Sequence, residues 1–175
     1  MIFTMFTKAD IEKYFVAEKQ QAFLFLLIGI AALVTAIVFL MFLKNNFYKG
    51  AALPLLLVGL LSGVAGYTVY KRSDADRVRN VYAYDLNPTE LKEKELPRMQ
   101  KVMKNFTVLF WSELVLLLAG VGLFIYFRNN TAHDFWRGFG VSLAVMALFA
   151  LLADRYAANR GKAYTEGLQS FVSNF

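Results

Sequence analysis

One acidic residue stands out as a candidate for chemistry because it interrupts an otherwise apolar run. Glu113 lies within Phe106 to Phe127, a stretch that contains no other charged residue. A carboxylate inside a hydrocarbon layer is costly, so such a group faces the protein, pairs with a donor or stays protonated. We expect Ser62, Tyr67 or Arg155 to be its partner. The group would then serve either as a structural hydrogen-bonding residue or as a proton carrier.

The other residue types that carry chemistry favour no active site. With no cysteine and a single histidine, the chain has no thiolate ligand and too few imidazoles for a typical zinc site. Asp74 and Asp76 stand beside arginines in a helical pattern, where solvated ion pairs are the usual role. His133 and Asp134 fall in a short polar loop without a partner for acid–base catalysis. We therefore expect no catalysis, no cofactor and no metal site.

Composition and hydropathy predict the elements that must position Glu113. The 175 residues are 58% apolar, which exceeds the usual value for soluble domains. About 20 apolar residues in a helix suffice to cross a hydrocarbon core of about 30 Å. We predict an all-α integral membrane protein, a single domain over residues 1–175, with four transmembrane helices. The four predicted spans, called the apolar segments below, are residues 22–43, 51–70, 106–127 and 138–153.

The N-terminal residues 1–21 have the pattern of an amphipathic helix. Thr7 and Asp10 have the spacing of a capping box, and Ile11, Tyr14 and Phe15 recur at helical intervals. Such a helix is expected either to lie along the membrane surface or to extend the first span into the cytosol.

The central residues 71–105 form a polar connector with nine Lys or Arg and six Asp or Glu. We expect span two to continue into it as a helical stalk through Val78 and Tyr82, with a break at Ser73 as the competing interpretation. Asn87 followed by proline predicts a new helix, ending near residue 96. In the C-terminal tail, 154–175, helix is expected for one or two turns before residue 161.

The distribution of basic residues predicts orientation. Of the 19 Lys and Arg residues, those in the loops 44–50 and 128–137 are only four, and the rest lie at the termini or in the connector. By the positive-inside rule, both termini and the connector are cytoplasmic, and the expected location is a bacterial inner membrane. These charges are accounted for by topology, so we expect no nucleic-acid partner.

Two patterns concern how the spans pack. Gly59, Gly63 and Gly66 supply small-residue spacings that let a neighbouring helix approach closely. Residues 47–50, Phe-Tyr-Lys-Gly, resemble residues 135–138, Phe-Trp-Arg-Gly. This match suggests two in-out-in hairpins arranged as a parallel repeat, with the axis along the membrane normal.

No motif assigns a reaction or ligand, so function is chosen between classes. We expect a membrane protein that acts through protein–protein interaction, as an accessory subunit or an immunity-type protein, or by self-association within the lipid bilayer. The alternative is a small oligomeric channel or transporter that uses Glu113. A membrane enzyme ranks last because no nucleophile, metal cluster or paired carboxylates are recognisable.

Overall fold

The computed structural model describes residues 6–173, which are helical almost throughout and contain no strand. Along the described residues there are five α-helices, two π-helical turns and one 3₁₀ turn. The bounds are α1 Lys8–Val38, π turn Phe39–Leu43, α2 Asn46–Leu86, α3 Pro88–Glu90, π turn Leu91–Glu95, α4 Leu96–Phe127, 3₁₀ turn Thr131–His133 and α5 Asp134–Val172. The prediction of four long apolar helices is confirmed.

The helices form two hairpins, α1 with α2 and α4 with α5, and α2 packs against α5 to join them. The first hairpin turns at Lys44, whose φ of 45° is left-handed, and at Asn45, whose side chain accepts the Tyr48 amide at 3.0 Å. The second turns at Asn130, which accepts the Ala132 amide at 3.1 Å. Both turns are therefore closed by local side-chain caps, as their Asn-Asn sequences favour.

The well-packed core does not lie between the apolar segments but between the extensions of the helices beyond them. The apolar segments expose large side chains, such as Phe42 at 73% and Val64 at 67%. The buried cluster consists of Phe6, Ile11, Tyr14, Phe15, Ala83, Leu91, Met99, Tyr164, Leu168 and Val172. We call this cluster and the helix ends that carry it the extramembrane bundle, for its place beyond the four predicted spans. It holds the two hairpins together at one end.

The N-terminal helix is part of this bundle. Its capping box is present, since the amide and hydroxyl of Thr7 both donate to Asp10 Oδ2 at 2.8 Å. Tyr14 stacks on Tyr164 with ring centroids 4.2 Å apart. The membrane-surface arrangement predicted for this helix is wrong, because α5 covers its apolar face. Residues 1–5 of the predicted amphipathic helix lie outside the described residues.

Helices α2, α4 and α5 also differ from the predictions at their ends. No break occurs at Ser73, which is buried within α2 and donates to Val69 O at 2.7 Å. Asn87 accepts no side-chain cap hydrogen bond, and helical structure continues through residue 96 because Pro97 falls where a missing amide is tolerated.

Helix α5 does not end near residue 161 but runs to Val172, since Tyr164, Leu168 and Val172 fill the core at four-residue intervals.

The two hairpins correspond in their contacts as well as in their turns. A Cβ atom on Gly50 would lie 1.9 Å from the carbonyl oxygen of Phe135, and one on Gly138 would lie 1.9 Å from that of Phe47. The contact is reciprocal, as a two-fold relation requires. A residue of α1 corresponds to the residue of α4 whose number is higher by 84, and a residue of α2 corresponds to the residue of α5 whose number is higher by 88. Under these offsets buried positions coincide, in pairs such as Phe15 with Met99, Ser73 with Gly161 and Asn80 with Leu168.

Candidate functional site

The structure places Glu113 of α4 next to Asp154 of α5. Their carboxyl groups are neighbours. They line a cavity of about 200 Å³ between the two helices, at the junction of the apolar segments and the extramembrane bundle. Two ionised carboxylates this close together repel each other. Glu113 is the only acid within the four apolar segments, and Asp154 directly follows the fourth.

Helical periodicity explains why these side chains meet. On α4, residues 103, 106, 110 and 113 recur every three or four residues and therefore share one face. On α5, residues 151, 154, 158 and 162 do the same. Among the lining residues of α5, Arg155, Asn159 and Lys162 follow Asp154 toward the extramembrane bundle. The cavity is therefore apolar around the acids and basic at its outer end.

Glu113 is only partly satisfied by its surroundings. Its side chain is 8% exposed, and its Oε2 atom is buried without a hydrogen-bond partner in the described part of the chain. Arg155 and Lys162 line the same cavity, yet neither forms an ion pair with either carboxyl group. A buried carboxyl oxygen without a donor costs stability and is the kind of group found at functional sites.

The corresponding positions of the first hairpin carry glycine. Glu113 corresponds to Gly29 and Asp154 to Gly66 under the offsets above. A Cβ atom on Gly29 would meet backbone atoms of Gly59 and Gly63 at 2.7 Å, and one on Gly66 would meet Ala22 O at 2.7 Å. The first hairpin is therefore closed by glycine contacts at the places where the second carries acids and a cavity.

Only one of the three predicted partners of Glu113 lies beside it. Arg155 lines its cavity, whereas Ser62 lines a different groove between the hairpins, and Tyr67 is 55% exposed. Sequence reasoning missed Asp154 because span four was ended at residue 153. The available signal was the helical spacing of Asp154 from Leu151 and Ala147, which continues the inward face of α5.

The three glycines of α2 that the sequence predicts to pack against a neighbouring helix, Gly59, Gly63 and Gly66, have different surroundings. Gly59 and Gly66 lie against the backbone of α1, where added Cβ atoms would be within 3.1 Å of Gly29 O and 2.7 Å of Ala22 O. Gly63 contacts Gly29 through its backbone, but a Cβ atom on it would enter open space. Of the three predicted packing glycines, only Gly59 and Gly66 therefore lie where an added side chain would meet the α1 backbone.

The extramembrane bundle contains a buried polar network centred on Glu95. This carboxylate is 1% exposed and accepts from Arg98 Nη2 at 2.6 Å and Arg98 Nε at 2.8 Å. Tyr164 also donates to it at 3.3 Å. Burial, together with the negative charge of Glu95, raises the pKa of the Tyr164 phenol above its ordinary value, so the phenol stays a donor. The network positions α4 against α5.

Outside the apolar segments, one face of α2 exposes a row of apolar side chains. Val78, Tyr82 and Leu86 recur every four residues and are 63%, 62% and 67% exposed. We call these three residues the α2 stripe. Exposed neighbours such as Arg79 and Asp85 flank it. A contiguous exposed apolar row on a helix is typical of a surface that another helix covers.

The remaining candidates from the sequence have structural partners. His133 stacks on Phe127 at 5.2 Å, and Asp134 pairs with Arg137 at 3.1 Å. Asp74 pairs with Lys19 and Arg77, and Asp76 with Arg72 and Arg79. Among residues 6–173 no cluster of three or more His, Cys, Asp or Glu could hold a metal ion. No family model, no curated protein and no solved structure matches the chain.

Proposed function

We propose that the chain is a four-span membrane protein, built from two duplicated in-out-in hairpins, whose extramembrane bundle lies in the cytosol. The exposure of large apolar side chains along all four apolar segments supports this, because such surfaces in water would aggregate. The reciprocal contact of Gly50 and Gly138 supports a parallel repeat. The basic residues concentrated in the termini and the connector support the cytosolic side, in a cell membrane of bacterial inner-membrane type.

Single introduced cysteines test this topology without background, since the chain has none of its own. In intact cells, Thr131→Cys should react with an impermeant maleimide. Glu93→Cys, which is also exposed, should react only after the membrane is permeabilised. The reverse pattern, or labelling of both in intact cells, would contradict the proposed orientation.

The function that the geometry supports best is binding to another protein through the extramembrane bundle, without catalysis. The observation that carries this proposal is the α2 stripe, which lies outside the apolar segments and so cannot be covered by lipid tails. The bundle beneath it is packed, since Ala83 on the same helix is completely buried in the core. A partner helix with its own apolar row, laid along α2, would cover the stripe. An accessory subunit or an immunity-type protein would work in this way.

A photoreactive benzophenone residue in place of Tyr82 tests this in native membranes. We expect one discrete adduct whose mass exceeds that of the chain by the mass of a partner protein. The control is the same residue at Lys101, which is exposed on α4. An adduct of twice the chain mass would show self-association instead. Equal labelling from positions 82 and 101 would contradict a specific interface at the α2 stripe.

A second candidate function, proton or cation transport by a small oligomeric channel or transporter, is favoured by the Glu113–Asp154 pair. Two neighbouring acids beside apolar helix surfaces are typical of a proton site. The cavity around them is continuous with basic residues at its outer end. Farther from the extramembrane bundle, α4 and α5 are in close backbone contact, because a Cβ atom on Gly120 would lie 2.6 Å from Ala144 N. Transport would therefore require α4 and α5 to separate there.

Glu113→Gln tests the transport function in liposomes under a pH gradient. A proton site predicts that the wild type dissipates the gradient and that Glu113→Gln does not, since glutamine cannot titrate. Glu166→Gln is the matched control, because Glu166 is exposed, does not line the cavity and pairs with Lys162 at 3.8 Å. A wild-type rate equal to that of protein-free liposomes, with folded protein, would remove the transport candidate and leave the interaction protein.

A further inference from the structure

A second and larger depression lies between the two hairpins, separate from the Glu113–Asp154 cavity. It has a volume of about 550 Å³ and is bordered by α1, α2 and α5. We call it the interhairpin groove. Its size is in the range of grooves and pockets that hold small ligands. The lining divides into a polar end and an apolar length, so the groove is amphipathic along its own axis.

The polar end lies where the apolar segments meet the extramembrane bundle. Gln21 immediately precedes the first apolar segment, and Arg160 follows the fourth by two helical turns. The apolar length extends from there along α1 through Ile28 and along α5 through Phe149 to Met146. From residue 160 to residue 146 the α5 wall is about 20 Å long, at about 1.5 Å per residue. About half of this length lies within the fourth apolar segment, and the rest lies beyond it.

Two polar atoms at this end are left without partners. Gln21 uses its Nε2 atom to donate to Ala153 O at 3.0 Å, and its Oε1 atom is buried without a hydrogen bond in the described structure. Arg160 has its Nε atom buried and likewise without a hydrogen bond. Its guanidinium lies over the Tyr14 ring at 5.7 Å, and it forms no ion pair within residues 6–173. The two residues that line this end therefore leave one arginine donor and one amide acceptor unpaired within the described structure.

These unmet requirements define the chemistry of an occupant. A buried donor or acceptor without a partner is destabilising, so a ligand that satisfies both atoms gains binding free energy. The guanidinium of arginine matches a phosphate, to which it donates two parallel hydrogen bonds. The Gln21 Oε1 atom requires a donor close to that phosphate. The apolar length requires a hydrocarbon chain.

We propose that the interhairpin groove binds an anionic glycerophospholipid with hydroxyl groups in its headgroup, as in phosphatidylglycerol. The phosphodiester accepts from Arg160, a headgroup hydroxyl donates to Gln21 Oε1, and one acyl chain lies along Ile28 and Phe149. A phosphatidylcholine headgroup has no donor for Gln21 and no net charge for Arg160. Phosphatidylethanolamine supplies a donor but also lacks the net charge. The proposal rests on the membrane location proposed above.

The test is lipid binding to purified, delipidated protein in a non-ionic detergent, followed by native mass spectrometry and by thermal unfolding. Phosphatidylglycerol is expected to bind at one site and to raise the melting temperature. Phosphatidylcholine and phosphatidylethanolamine should bind at least tenfold more weakly, as loss of a charged hydrogen bond implies. Binding of either neutral lipid as tightly as phosphatidylglycerol would overturn the proposal.

Two variants locate the site. Arg160→Gln should weaken phosphatidylglycerol binding about tenfold or more, whereas Arg155→Gln, in the Glu113 cavity, should leave it unchanged. Because Arg160 also packs on Tyr14, a second variant avoids that contact: Ala150→Phe fills the groove and should abolish the single site. Phosphatidylglycerol binding that survives both variants overturns the proposal. If the cysteine labelling gives the expected pattern but phosphatidylglycerol does not bind, only the lipid-binding proposal is contradicted. If the labelling pattern is not the expected one, the proposed membrane topology is contradicted.

Discussion

Gly138→Val is expected to destabilise the protein more than any other single substitution on the apolar segments. A Cβ atom at this position would lie 1.9 Å from the carbonyl oxygen of Phe47, so the α2 and α5 backbones must move apart. Overpacking costs about 1–3 kcal/mol when side chains can adjust, and here the obstacle is backbone. We expect at least about 3 kcal/mol, or a fall in melting temperature of about 6–12 °C in detergent.

The matched control for Gly138→Val is Gly122→Val. Gly122 is also a helix residue of the second hairpin, but a Cβ atom on it would have no neighbour within 4 Å. Both variants carry the same change in helix propensity, so their difference measures the crossing contact alone. Gly50→Val should reproduce the loss seen at Gly138, because the two contacts are reciprocal. Equal melting temperatures for the variants at residues 138 and 122 would contradict the close crossing.

Glu95→Ala is expected to have the second large effect, this time in the extramembrane bundle. Removing one partner of a buried ion pair leaves the other charge uncompensated and costs about 3–5 kcal/mol. Glu95 is 1% exposed, and Arg98 donates two hydrogen bonds to it. The measurement is the free energy of unfolding, or the melting temperature where unfolding in detergent is irreversible.

Two further variants interpret the Glu95 result. Glu90→Ala removes an exposed pair with Lys94 at 3.0 Å and should cost less than about 1 kcal/mol. Glu95→Ala combined with Arg98→Met removes both charges and should be less destabilising than Glu95→Ala alone. The single variant Arg98→Met completes the comparison. If the destabilisation of the double variant equals the sum of those of Glu95→Ala and Arg98→Met, the interaction between the two side chains contributes nothing.

The sequence alone determined the four apolar helices and the two polar turns. Span prediction depends on the local concentration of apolar residues and on length, and both are readable without knowledge of any contact. The turns depend on Asn45 and Asn130, whose side chains cap the backbone within three residues. The resemblance of residues 47–50 to 135–138 was likewise readable, and Gly50 and Gly138 lie at the crossing of α2 and α5.

Only the tertiary structure decided where the helix extensions go and which polar residues meet. An amphipathic pattern such as Ile11, Tyr14 and Phe15 predicts a covered face but not the covering surface, which is α5 rather than lipid headgroups. Asp154 joins Glu113 only because α4 and α5 are in a particular register, and a shift of one residue would turn either carboxyl group by about 100°. Gly63 faces open space while Gly59 and Gly66 face α1, since the direction of each side chain depends on helix rotation within the hairpin. Local composition therefore specifies the elements, whereas long-range packing specifies the site.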